Sequence, residues 1–263
     1  MLKRELKVNL KSFLVWLILI ISIFSVVFLI YPSIINSNNV KTIDEMIKIF
    51  PKEILAAFNM DISSLDSAFG WLKSEGFVFI LLLTGCYAGV LGSNILLKEE
   101  SDKTIEYLNA LPTTRPKIVL TKTFVGLIYV IALIIGIGIF NYIALTLSGD
   151  YNQKQFLLLS VTPIFSSSVI YFICLFISTF AKKTKKMLGV TLGIVFGSYI
   201  LYMLSTIAKE IEFLKYVSVF TLADIRNVIQ DITLNPVMIG ITIILSITLF
   251  LMTLIRYNKK EFI

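Results

Sequence analysis

The sequence of 263 residues has no histidine, only two cysteines and only 16% charged residues. Without histidine, no Ser-His or Cys-His nucleophile pair and no His-based zinc site can exist. Cys86 and Cys174 each lie inside an apolar run, so they read as small packing residues and not as a secreted disulfide framework. Nothing matches the phosphate-cradling loop G-x-x-x-x-G-K-[ST], so the chain is expected to hold no ATP site, no metal and no other cofactor. Soluble chains carry about 25% charged residues. Here the few charges are bunched, and no polar block is long enough to build a soluble domain. The basic residues flank apolar runs, and no nucleic-acid partner is expected.

What fills the chain instead is hydrocarbon. Hydrophobic residues make up 57% of it, and its mean hydropathy is +0.87. A membrane helix needs about 20 mostly apolar residues to cross a core of roughly 30 Å. Six runs meet that length without one Asp, Glu, Lys or Arg: 13–31, 77–97, 123–147, 156–181, 187–208 and 237–255. The first is too long for a signal-peptide core, and Pro32-Ser33-Ile34-Ile35 is a poor cleavage site. The predicted fold is therefore an all-α membrane protein, one transmembrane domain over 1–263.

Lysine and arginine set the orientation. Sixteen of the 24 fall on the side of the N-terminus: in 1–12, 98–122, 182–186 and the tail. Both termini are thus expected in the cytoplasm. Lysine greatly outnumbers arginine, and isoleucine and asparagine are frequent, as in AT-rich bacterial genomes. A bacterial cytoplasmic membrane is the expected location.

Outside the spans, three segments have apolar patterning of their own. Residues 1–12 place Leu2, Leu6 and Leu10 on one face and Lys3, Lys7 and Lys11 on another, as an interfacial amphipathic helix would. In the first outer loop, Ile43, Met46, Ile47, Phe50, Ile54, Leu55 and Phe58 recur at spacings of three and four, a stripe expected along the outer interface. Residues 209–236 are half-apolar and read as an outer hairpin dipping into the bilayer, which needs its backbone buried in protein.

The inner segment 98–122 carries the functional reading. A short helix is expected from about Asp102 to Ala110, capped by Ser101 or Asp102, with Ile105 and Leu108 as its apolar ridge. Pro112 ends it. Such a helix suits a partner's groove, although a solvated loop is the plain alternative. The segment resembles the connection between the second and third spans in permease subunits of type-2 ABC exporters. The matching positions are Glu99, Glu100, Thr104, Ile105, Leu108, Leu111, Pro112, Arg115 and Lys122. One position departs: the family usually has glycine before the threonine, and this chain has Lys103.

That resemblance implies a coupling helix seated on an ABC ATPase subunit, which would bring ATP and magnesium. It also implies a second copy, or a related permease subunit, completing the pore, and export as the direction. Spans without buried charge favour a lipophilic or amphipathic small molecule or peptide as cargo, and they lack the ionisable relay of ion-coupled carriers. A secondary transporter, or a membrane scaffold or sensor without an ATPase, is the alternative. The Glu99-Glu100 pair also resembles that of intramembrane CAAX-type peptidases, but those need histidine for their metal.

Two further patterns lie within the spans. Gly189, Gly193 and Gly197 repeat every four residues in the fifth span, as do Gly85 and Gly89 in the second. Such ladders let backbones approach closely. Packing within one chain explains them plainly; for the fifth span the sharper reading is a subunit seam or a moving pore wall. In the fourth span, Pro163 with Ser160, Thr162 and Ser166 to Ser168 reads as a kink whose freed carbonyl the hydroxyls satisfy.

Overall fold

The computed structural model describes residues 2–34, 67–104, 113–207 and 209–260. Among these the chain is helical throughout, with six helices long and apolar enough to cross a membrane. Each coincides with one of the charge-free runs. Most are longer than the runs, because a helix continues through the headgroup layer, where charge is tolerated.

The first helix is one unbroken stretch, Leu2–Ile34. Residues 2–12 therefore continue the first span and are not a separate element, a correction with a simple cause. No proline or glycine interrupts the chain before Pro32. Nor does the expected leucine face act as a unit: Glu5 is buried and Leu6 and Phe13 pack inward, while Leu2 and Leu10 stay exposed. The apolar stripe expected in the first outer loop lies outside the described residues, as does most of that loop.

The second and fourth spans form the core. Their apolar windows are 72% and 61% buried, against 11% for the first and sixth spans. The second span starts at Ser67, whose hydroxyl accepts from the Gly70 N–H. It passes through a π-helical turn, Leu72–Gly76, before the regular helix Phe77–Ile95. The third span is Arg115–Ser148. The fourth is broken in two, Gln153–Val161 and Pro163–Ser178. The break falls at Pro163 as expected, but the carbonyl that proline strands is satisfied differently. Leu159 O accepts from the Thr162 backbone N–H at 3.3 Å, and the Thr162 hydroxyl donates to Leu158 O.

Tyr171 pins the centre of the bundle. It is fully buried, and its hydroxyl donates to Thr123 O at 3.3 Å. Gly92 and Gly126 make its room: a Cβ on Gly92 would strike the Tyr171 carbonyl oxygen, and one on Gly126 the phenol oxygen. Gly89 likewise admits Thr191 of the fifth span, whose Cγ2 would lie 2.6 Å from an added Cβ. The second-span glycines are internal packing positions.

The fifth-span ladder is the reverse case. In Thr184–Ile207 the inward residues are Met187, Thr191, Val195, Ser198 and Ser205, a stripe of its own. Gly189, Gly193 and Gly197 lie off that stripe, and a Cβ on any of them meets nothing within 4 Å among the described residues.

Ahead of the last span, Pro236–Asn258, the chain forms two 3₁₀ turns, Lys209–Tyr216 and Val219–Ala223, and a short helix, Arg226–Gln230. Phe220 is fully buried, and its ring tip would lie 3.3 Å from a Cβ on Gly85. Ser198 and Ser218 satisfy the inserted backbone: Val219 N–H donates to Ser198 Oγ at 2.8 Å, and Ser218 Oγ donates to Ser198 O at 2.7 Å. Polar side chains thus meet the backbone's demand at this insertion.

Candidate functional site

The segment after the second span starts as a one-turn helix, Lys98–Ser101. Ser101 is the last residue of this helix and Asp102 its C-cap, so no helix begins at Asp102; the rest of the expected helix lies outside the described residues. Lys103 has φ +58°, the left-handed conformation. Lys103 N–H donates to Glu100 O at 3.2 Å, and Thr104 N–H to Glu99 O at 2.8 Å. Those two bonds around a left-handed residue make a Schellman cap, which usually places glycine at that position. Lys103 therefore stands where a glycine would be favoured, and it keeps the glycine geometry.

Glu99, Glu100 and Ser101 of that turn face three different parts of the chain. Glu99 Oε1 pairs with Lys122 Nζ at 2.6 Å. Lys122, only 1% exposed, also reaches Glu5 Oε2 at 3.3 Å and Ile95 O at 2.9 Å. One ammonium thus joins the first, second and third spans, with Tyr129 OH donating to Leu6 O at 2.5 Å to hold the first helix alongside. Glu100 Oε2 pairs with Lys260 Nζ at 2.6 Å, and Lys260 donates to Ala181 O at 2.8 Å. Ser101 Oγ lies 3.2 Å from Thr184 Oγ1 and accepts from the Thr184 N–H at 3.4 Å, capping the start of the fifth span.

Arg115 completes the arrangement from the other end of the connection. Its Nη1 donates to Asn258 O and Lys260 O at 3.1 and 2.9 Å, where the carbonyls of the last helix run out of partners. Burial makes the Lys122 pairs consequential. Removing one partner from a buried pair leaves an uncompensated charge, at a cost of about 3–5 kcal/mol. Exposed pairs contribute at most about 1 kcal/mol.

Beside the turn lies a cleft of about 230 Å³ between the first helix and the segment, lined by Arg4, Asn9, Asn94, Lys98 and Thr104 among others. Glu99 Oε2 is buried and has no hydrogen-bond partner among the described residues.

Of the residues singled out in the sequence, Glu99, Glu100, Arg115 and Lys122 come together at this end, with Thr104 exposed at the turn's exit. Ile105, Leu108, Leu111 and Pro112 lie outside the described residues. The glycine ladder belongs to a different surface. Glu5, Ser101, Thr184 and Lys260 were missed as partners. Glu5 did carry a signal, as the one acid among the first twelve residues of a basic helix. Residues 1–262 match the family described as ABC-2 family transporter protein. No curated protein and no solved structure matches the chain.

Proposed function

The chain belongs to the ABC-2 family of transporter proteins, and from that membership we propose that it is the permease subunit of an ATP-driven exporter. A member of this family is a non-catalytic transmembrane component. In the proposed assembly two copies, or this chain and a related one, form the pathway. A separate ABC ATPase subunit binds ATP and magnesium and drives them. The basic end of the bundle, with both termini, faces the cytoplasm of a bacterial cell, where the excess of lysine and arginine belongs. The cargo is a lipophilic or amphipathic small molecule or peptide.

One observation carries the coupling reading. Glu99, Glu100 and Ser101 hold, through one side chain each, Lys122, Lys260 and Thr184. A force applied to the segment that follows is delivered to the first, third and fifth spans and to the chain end after the sixth. Residues 105–112 are the proposed contact with the ATPase, with Ile105 and Leu108 as its apolar ridge and Pro112 and Arg115 fixing its exit. The outward glycines of the fifth span, Gly189, Gly193 and Gly197, are the proposed seam between subunits. Their lack of neighbours among the described residues supports that reading.

The test is the double substitution Ile105→Ala with Leu108→Ala, reconstituted with the ATPase. Losing a large buried apolar side chain costs about 1–3 kcal/mol. The variant should insert normally, lose co-purification of the ATPase and lose permease-dependent ATP hydrolysis, while Ser33→Ala with Asn36→Ala changes neither. Full ATPase binding and transport by the double variant would refute the coupling assignment.

A further inference from the structure

At the basic end of the bundle the fourth and sixth spans touch twice. The Arg256 guanidinium lies over the Phe180 ring, 4.9 Å from its centroid, and the Lys260 ammonium donates to Ala181 O at 2.8 Å. Lys182 and Lys183 follow at once in the chain, and Lys259 falls between the two contact residues of the sixth span. These three lysines are exposed, and Arg256 is half-buried. Four cations therefore gather at one junction.

What distinguishes them is the lack of an acid. Lys122 is paired with Glu5 and Glu99, Lys260 is paired with Glu100, and Arg115 donates to the last carbonyls of the sixth helix. Among the described residues, no side-chain hydrogen bond or ion pair is made by Arg256, Lys182, Lys183 or Lys259. Positive charge is thus left over at a place where the chain neutralises its other cations.

Arg256 fixes the depth of the junction. It directly follows the charge-free run 237–255, and Phe180 stands one residue from the end of the run 156–181. Phe176 supports the Phe180 ring at 5.3 Å between centroids, yet Phe180 is 58% exposed, so the ring stays open to the bilayer. A guanidinium resting on such a ring stands where hydrocarbon gives way to headgroups. A soluble acidic partner does not reach that depth, whereas a lipid phosphate lies at it. The phosphodiester presents two oxygens, which match the fork of guanidinium N–H donors that Arg256 leaves unused.

We propose that Arg256 binds the phosphate of an anionic phospholipid at the junction of the fourth and sixth spans, with Lys182, Lys183 and Lys259 selecting a headgroup of net negative charge. The lipid supplies the acid that these four cations lack among the described residues. This assignment holds whichever side of the membrane the basic end occupies, and it does not depend on the ATPase or on the cargo.

Native mass spectrometry of the full chain in detergent, titrated with phosphatidylglycerol and with phosphatidylcholine, tests it. Wild type should retain phosphatidylglycerol at least about fivefold better than phosphatidylcholine, since one basic residue near a charged surface is worth about that factor. Arg256→Gln should weaken phosphatidylglycerol about fivefold, and the fully exposed pair Lys182→Gln with Lys183→Gln should lower the preference without touching Phe180. Lys7→Gln with Lys11→Gln removes equal charge at the same end but on the first helix, and should change neither. A loss in that control equal to the loss at Lys182 and Lys183 would overturn the proposal, because a diffuse basic field would then explain retention. So would wild-type retention indifferent to headgroup charge, or full phosphatidylglycerol retention by Arg256→Gln. Displacement of the lipid by equimolar glycerol phosphate would overturn it as well, by showing that the junction reads a soluble phosphate.

Discussion

Lys122→Met is the substitution that tests the basic-end network most directly. Methionine keeps most of the side-chain length but removes the ammonium, leaving Glu5 and Glu99 facing one another without a cation. The lysine side chain is 2% exposed, and those of Glu5 and Glu99 are 6% and 12% exposed, so water cannot substitute for it. The Ile95 carbonyl loses its donor as well. Breaking a buried pair costs about 3–5 kcal/mol, and two carboxylates sharing one cation put this site at the upper part of that range. Thermal unfolding of the purified permease in detergent should show a large drop for Lys122→Met.

The same logic predicts rescue. Adding Glu5→Gln and Glu99→Gln to Lys122→Met removes the stranded charges while preserving shape, and neutral replacement of a buried ion pair is often tolerated. The triple variant should regain most of the lost stability, yet it should not regain the proposed coupling to an ATPase subunit, because the link between spans is gone. Lys215→Met provides the contrast. Its pair with Glu212 is solvent-facing, with Glu212 52% exposed, and the substitution should change little. A Lys122→Met protein as stable as wild type, or a triple variant no better than the single one, would refute the account of the network.

Three further outcomes are expected. Gly126→Ala should impair folding of the single subunit because its Cβ meets the phenol of Tyr171, whereas Gly193→Leu meets nothing among the described residues and, if the proposed seam holds, should leave the subunit folded but unassembled, as size-exclusion chromatography would report. Cysteines placed at Asn38 and Asp150 should label from outside intact cells and one at Lys185 only after permeabilisation, with the native Cys86 and Cys174 silent because both are buried. Lys103→Gly should match or exceed wild-type stability, while Lys103→Val should lose on the order of 1 kcal/mol in the same melts, since a β-branched residue resists the left-handed region.

The six spans were legible because a bilayer imposes a length and a polarity that leave few alternatives. Where the helices end was not. Hydropathy detects the hydrocarbon layer, and the third helix begins at Arg115, well inside a stretch whose charges look like loop. The same blindness split the first helix into an interfacial piece and a span. The site was legible at Glu99, Glu100, Arg115 and Lys122 through their pattern, but their partners were not. Glu5 lies 117 residues from Lys122, and Lys260 lies 160 from Glu100. Nothing local predicts such pairs. They form because alternating spans return helix ends to one side, where charges excluded from hydrocarbon must find each other.

Lys103 is the position where sequence and geometry disagree most usefully. A lysine replacing the usual glycine puts the local turn geometry in doubt on sequence alone. Yet the left-handed residue follows from the helix before it, not from the residue type. Lys98–Ser101 must end, and its carbonyls at Glu99 and Glu100 are taken by the N–H groups of Thr104 and Lys103. Glu99, Glu100 and Ser101 are meanwhile fixed by Lys122, Lys260 and Thr184, so the turn is held by ties on three sides. Those ties can bear the strain of one side chain in the left-handed region, roughly 1 kcal/mol, where a freely solvated turn would relax. The cap also sets the direction in which the chain leaves toward Ile105. A glycine there makes that exit easy to reach; the ion pairs around it make it hard to leave.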